Sequence, residues 1–196
     1  LNLGGIANIT LWDGESLMAW DLGPAMSLLD LAAQRWLKLP FDPDGQHATG
    51  MAEAACLERW LTHPYFQRRP PKSTGRETFG QAWLAAENAI LEGLSLEDRL
   101  ATVAAFSAES CAREIGRWGL ALPPGTPLLL SGGGALHLRL RQELTQRLPD
   151  FQIRLDLRFP SGAREAVSWA LLGAASAAGI PGNLPQATGA RSPVVL

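Results

Sequence analysis

The opening stretch, LNLGGIANITLWDGESLMAWDLGPA, constrains the fold more than any other part of the chain. Two runs in it alternate apolar and polar residues, the period of a strand that buries one face. Between them stands Trp12-Asp13-Gly14-Glu15, and Asp-Gly between alternating runs signals a tight hairpin turn. The first 24 residues therefore read as two antiparallel strands. Such a hairpin gathers Gly4, Gly5, Asp21 and Gly23 toward one end. Glycines there can serve tight backbone geometry alone, with Asp21 a strand-end carboxylate that bonds nearby amides. They can also aim consecutive N–H groups at one anion, with Asp21 as a carboxylate at its mouth. Taken alone, the residues favour the first of these.

After the hairpin the period changes. Pro24 opens a helical pattern over AMSLLDLAAQRWLKL, with apolar residues three and four apart. PFDPDGQHATG reads as a loop, and a second helix is expected over roughly Met51 to Leu61. The Pro-, Gly- and Arg-rich segment THPYFQRRPPKSTGRETFG is irregular and long for a connector, as functional loops are. Helices over Gln81 to Leu91 and Leu96 to Trp118 follow. PLLLSGGGALHLRLRQELTQRL then gives a buried strand, a glycine turn and a helix, FQIRLDL a further strand, and GAREAVSWALLGAASAAG a small-residue helix ending at Gly179. A leading antiparallel hairpin followed by alternating helices and strands implies one α/β domain on a mixed sheet rather than a doubly wound dinucleotide fold.

With 196 residues and 46% hydrophobic content the chain can bury a real core. A net charge of −2, with both signs interspersed, gives no footing for nucleic acid or an anionic membrane surface. No apolar run is long enough to cross a bilayer. Cys56 and Cys111 lie far apart in alanine-rich helical stretches, with no CxxC spacing, and read as buried, reduced thiols. The chain begins on Leu1, inside a strand, which reads as part of a longer protein.

Three stretches can carry chemistry. In LLLSGGGA, Gly132, Gly133 and Gly134 let a ligand approach the backbone closely, and the following helix N-terminus offers free N–H donors. The stretch is not a Walker A loop, since no Lys-Ser/Thr follows, nor GxGxxG, since His137 stands at the last position; a plain strand-to-helix turn is an equal reading. The hairpin is the second. The third is RRPPKSTGRE, where Arg68, Arg69, Lys72 and Arg76 surround Ser73-Thr74-Gly75. Those cations and hydroxyls suit an anionic or polyol ligand. The plainer and favoured reading is a solvated basic loop in which Ser73 or Thr74 caps the next helix, with Glu77 in its first turn. The histidines, His47, His63 and His137, form no triad arrangement. Trp36, Trp60, Trp83 and Trp118 fall at apolar helical positions and read as core.

Taken in order, LNLGGIANIT, DLGP, FDPDG, HPYFQRRPPKSTGRETF, GGGA and GIPGNLPQATGA resemble the C-terminal lobe of the anhydro-N-acetylmuramic acid kinase family, within the superfamily of hexokinases, heat-shock ATPases and actin. The resemblance implies a ribonuclease-H-like (actin-like ATPase) lobe over residues 1–196, a mixed sheet with a leading antiparallel hairpin flanked by helices. This would be the nucleotide side of a cytoplasmic two-lobed kinase whose N-terminal lobe lies outside this chain. It implies a reaction as well: water opens the 1,6-anhydro ring of the sugar while ATP, with Mg2+, phosphorylates O6 to give N-acetylmuramic acid 6-phosphate in cell-wall recycling.

By the same resemblance Asp21 is the base on the attacking water. Gly4, Gly5 and Gly23 serve the phosphates, and Gly132, Gly133 and Gly134 the adenosine side. Lys72, Ser73, Thr74, Arg76 and Glu165 are candidates for substrate contact or lobe closure. No direct protein ligand to the metal is implied. Partners are the sugar, ATP and the other lobe, with no nucleic acid and no membrane; a homodimer is compatible. The isolated chain is expected to be inactive alone. DLGPAM stands where the family has DTGPGN, which keeps open a non-catalytic binding module derived from this lobe. A kinase for a related anhydro or amino sugar is a further alternative.

Overall fold

The opening alternation folds into three strands rather than two. In the computed structural model, which describes residues 1–158 and 163–195, the Gly4-Gly5 pair splits the first run into β1 (Asn2–Leu3) and β2 (Ile6–Trp12), and β3 (Leu17–Pro24) follows. Two adjacent residues without Cβ atoms turn the chain back on itself at once, so Leu3 pairs with Ala7. The second turn behaves as Asp-Gly predicts. Asp13 Oδ1 accepts the N–H groups of Glu15 and Ser16 at 2.9 and 2.7 Å, and Gly14 takes a φ of 106°. Along β2, Ala7, Ile9 and Leu11 face the core while Thr10 and Trp12 face outward.

Two further strands, β4 (Thr126–Leu130) and β5 (Phe151–Leu155), pair in parallel. β1 stitches them to the hairpin. Asn2 bridges Ser131 in parallel, the Leu3 N–H donates to Ser131 O at 2.8 Å, and the Ser131 N–H donates to Leu1 O at 3.0 Å. The strands therefore lie in the order β3-β2-β1-β4-β5, with β2 alone running against the rest. The mixed α/β sheet expected from the sequence is what forms.

Three of the helices gather around a fourth, which packs on β3. Pro24 does not open a helix; it closes β3 opposite Ile6. α1 (Met26–Ala32) begins just after, runs on through a π-helical turn, Ala33–Leu37, and stops at Lys38 with a φ of 61°. α2 (Ala54–Trp60) starts later than the apolar pattern suggests, because the Glu53 side chain caps it by accepting the Ala55 N–H. α3 (Gln81–Leu91) and α4 (Leu96–Trp118) stand where the periodicity puts them. α4 is the centre of the molecule, with every residue from Leu100 to Ala108 buried. A helix buried all round must be apolar or small on every side, and here alanines and serines let its neighbours approach closely. Phe106 on α4 stacks on Trp83 at 5.4 Å and meets Trp60 edge-on at 5.2 Å; buried aromatics of this kind contribute on the order of 1.5–3 kcal/mol each.

α5 (Leu138–Arg147) lies beside α4, clipped to it by Arg147 Nε and Glu109 at 2.7 Å. α6 (Arg164–Ala177) and the short α7 (Pro185–Thr188) complete the described chain. Cys56 and Cys111 are buried and unpaired, as their surroundings in sequence suggest. No helix among the described residues is long and apolar enough to cross a membrane.

Candidate functional site

Asp21 lies near the end of β3, opposite Asn8, beside a bulge that skips Leu22 in the pairing. The irregular segment after α2 covers this edge of the sheet and takes hold of the residue. The Asp21 N–H donates to Lys72 O at 3.1 Å, Tyr65 Oη donates to Asp21 O at 2.5 Å, and the Thr74 N–H donates to Asp21 Oδ2 at 2.9 Å. The capping role considered for Ser73 or Thr74 is not what forms. α3 starts only at Gln81, with Gly80 as its cap. The basic loop instead binds the carboxylate the hairpin presents.

Two residues past Thr74, the Arg76 guanidinium lies 3.5 Å from where a Cβ on Gly5 would stand. One loop thus spans from Asp21 to the Gly4-Gly5 turn. The carbonyls of that turn are occupied: Gly4 O accepts from Met26 N–H, and Gly5 O accepts from the N–H groups of Ala25 and Ser27, at 2.9 to 3.0 Å. The first N–H groups of α1 are therefore spent on the glycine turn.

The six glycines singled out in the sequence divide by role. Gly4, Gly5 and Gly133 line a cavity of about 420 Å³ together with Asp30, Phe41 and His137. Gly133 has open space where a side chain would go. Gly132, Gly134 and Gly23 are instead positions of close approach. A Cβ on Gly132 or Gly134 would stand within 2.7 to 2.8 Å of Leu3, and one on Gly23 within 2.9 Å of Ser110 Oγ. The glycine stretch does not open directly into a helix N-terminus as expected. A 3-10 turn, Gly133–Leu136, intervenes, and His137 then caps α5 by accepting the Leu140 N–H on Nδ1 at 3.2 Å. That bond puts the imidazole proton on Nε2, which is buried without a partner, and burial holds the imidazole below its ordinary pKa.

A second groove, beside Asp21, is bordered by Asn8, Thr10, Arg68, Ser73 and Thr188. Ser73 is exposed at its rim. Lys72 is placed differently from an anion-binding loop lysine. Its side chain is fully buried and its Nζ lies 2.7 Å from Glu114 Oε2 on α4. Burial pulls the ammonium down and pushes the Glu114 carboxyl up, each against the pull of the other. Glu165 lies exposed in the first turn of α6, on an element separate from the loop and glycine turns. Sequence reasoning missed Tyr65, Glu114 and Asp30. Asp30, half-buried on α1, has a carboxylate oxygen, Oδ1, buried without a hydrogen-bond partner, and burial raises its pKa.

The model of the family described as anhydro-N-acetylmuramic acid kinase matches residues 1–196. The chain belongs to the anhydro-N-acetylmuramic acid kinase family. Among its relatives named anhydro-N-acetylmuramic acid kinase, that of Synechococcus sp. (strain CC9311) is 40% identical over 209 residues, covering 100% of this chain and 54% of the relative. The one from Shewanella denitrificans (strain OS217) is 38% identical over 201 residues, again across 100% of this chain and 53% of the relative. A third, from Synechococcus sp. (strain WH7803), is 42% identical over 209 residues, 100% of this chain and 54% of its own length. The chain spans about half the length of the curated relatives it matches. The DLGPAM stretch runs from Asp21 to Met26. Leu22 and Ala25 in it are fully buried, so their side chains pack in the core, while Met26 borders the glycine cavity.

Proposed function

We propose that this chain is the nucleotide-side half of a two-lobed, ATP-dependent kinase of ribonuclease-H-like build. The kinase opens the 1,6-anhydro ring of anhydro-N-acetylmuramic acid and phosphorylates O6. The strand order β3-β2-β1-β4-β5 with β2 reversed supports the fold assignment. The observation that carries the functional reading is the single loop whose Thr74 holds the Asp21 carboxylate and whose Arg76 reaches the Gly4-Gly5 turn. Ring opening needs a base for the attacking water, and phosphoryl transfer needs positioning and positive charge at the phosphates. This loop serves both within one short span.

In this reading Asp21 takes the proton of the attacking water. Of its two carboxylate oxygens, Oδ2 accepts the Thr74 N–H, which leaves Oδ1 to accept the proton. Gly4, Gly5 and Gly133 give a nucleotide close access to the backbone, and the cavity they line has a size common for small-ligand sites. The Arg76 guanidinium adds charge at the phosphate end. In this reading Mg2+ is held mainly by the phosphates and water, as is usual for this ion at nucleotide sites. Asp30, which borders the same cavity, is the carboxylate that would face it. Mg2+ bound there supplies neutralisation of phosphate charge. Ser73 and Thr188, at the rim of the Asp21 groove, are placed to meet the sugar, and Glu165 would act only through lobe closure.

The alternative of a non-catalytic module drew on Leu22, Ala25 and Met26; two of these are core residues that a ligand would not touch. The test is the full-length protein assayed for ATP-dependent phosphorylation of anhydro-N-acetylmuramic acid. Asp21→Asn is expected to lower kcat by about 10²–10⁴-fold, the range of a lost general base, with the KM for ATP little changed. Full activity in Asp21→Asn would remove the base assignment.

A further inference from the structure

Asp21 offers three polar handles to its surroundings: its N–H, its carbonyl and its carboxylate. All three are held from one strap, Tyr65 to Thr74, through Lys72 O, Tyr65 Oη and the Thr74 N–H. The strap is in turn fastened from below. Lys72 Nζ lies 2.7 Å from Glu114 Oε2, donates to Tyr65 O at 3.2 Å, and sits 4.4 Å over the Tyr65 ring. Glu114 Oε2 also accepts from Trp20 Nε1 at 3.2 Å, and Trp20 is the residue before Asp21. The side chains of Lys72 and Glu114 are 0% and 2% exposed.

A pair so thoroughly removed from water is weak support for stability. Desolvation cancels most of its attraction, and apolar side chains of equal volume do as well or better. What an ammonium on a fixed carboxylate adds is direction. Here both ends of that direction lead to Asp21: through the Lys72 and Tyr65 backbones on one side, and through Trp20 on the other.

We infer that Tyr65, Lys72 and Glu114 are positioning residues for Asp21, a buried ion pair clamping the strap that aims the carboxylate. The inference rests on the reading of Asp21 as the base. Misplacing a reacting group by about 1 Å can cost on the order of 10²-fold in rate, so loss of the clamp should be read in kcat rather than in binding.

Two variants of the full-length protein test it, beside Asp21→Asn. Tyr65→Phe removes only the hydroxyl that donates to Asp21 O. Lys72→Met with Glu114→Gln removes both charges at once while keeping an acceptor for Trp20 Nε1. Each is expected to lower kcat by about tenfold to a hundredfold while the KM for ATP stays within about twofold, the split that marks a loss confined to the transition state. The melting temperature of the double variant should fall only modestly, because desolvation cancels most of the pair's attraction and the remaining cost is that of the new amide N–H at position 114 left without a partner. A purely structural pair would do the reverse: lower the melting temperature sharply and leave the kcat of the folded protein alone. Parent-like kcat in both variants overturns the inference; with Asp21→Asn inactive, the base reading would still stand. An active Asp21→Asn overturns both. If the double variant does not fold, the kcat of Tyr65→Phe decides alone.

Discussion

Glycines that look alike in sequence do different work at the site, and substitution separates them. Gly23 has a φ of 141°, and a Cβ there would stand 2.9 Å from Ser110 Oγ and 3.1 Å from the Phe66 ring. Gly23→Ala is therefore expected to destabilise the fold by about 1–3 kcal/mol through overpacking against α4, with backbone strain added. Gly133 has nothing within 4 Å of its Cβ position. Gly133→Ala should leave stability within about 0.5 kcal/mol of the parent and instead weaken nucleotide binding, since the methyl enters the cavity. Chemical denaturation and nucleotide titration of the two variants give opposite patterns; equal loss of stability in both would show that Gly133 is packed. Lys72 shows where local reading stops. In PPKSTGRE it looks like one more solvated cation, and its partner Glu114 lies on another element. Pairing across such separations leaves no trace in local pattern, whereas the strand period and the Asp-Gly turn do.

At the scale of elements, periodicity located most helices and strands, and local chemistry moved their ends. The glycine pair made β1 and β2 out of one run, Glu53 set the start of α2, and His137 set the start of α5. The last has a pH consequence. Burial holds the His137 imidazole below its ordinary value of 6.5, against the attraction of Asp42 and Asp44 and with Arg139 adding to the depression. The unfolded chain then binds a proton that the folded chain refuses, so stability rises with pH through this window and falls as pH drops from 6.5 toward the lower folded value. Protonation also removes the Nδ1 acceptor that caps α5. His63 acts in the same direction: burial lowers its pKa, and its Nδ1 accepts the Tyr65 N–H. His137→Asn keeps a capping oxygen without a titrating group. Denaturation midpoints between about pH 7 and pH 5 should fall for the parent and flatten in His137→Asn. An undiminished slope in the variant would place the titration on His63 instead.

For the molecule as a whole, the decisive feature is that one helix both packs beneath the hairpin half of the sheet and anchors the site strap. α4 packs against β3, α1, α2 and α5, and it carries Glu114 beneath Lys72. The outer parts are less committed: α6 has no buried residue, and Trp169 and Leu171 on it stand 71% and 66% exposed. If α4 is the shared core, it should open only when the molecule does. Cys111 on α4 reports this, because burial pushes its thiol up to about 12, and Cys56 on α2, also raised by burial, is its comparison. The thiolate is the reactive form, so both should resist a thiol reagent under native conditions and react fully in denaturant. At intermediate denaturant, Cys56 should label no more slowly than Cys111, since α2 can detach while α4 cannot open without exposing the sheet. Labelling of Cys111 ahead of global unfolding would show that α4 is not the element on which the strap, and through it Asp21, depends.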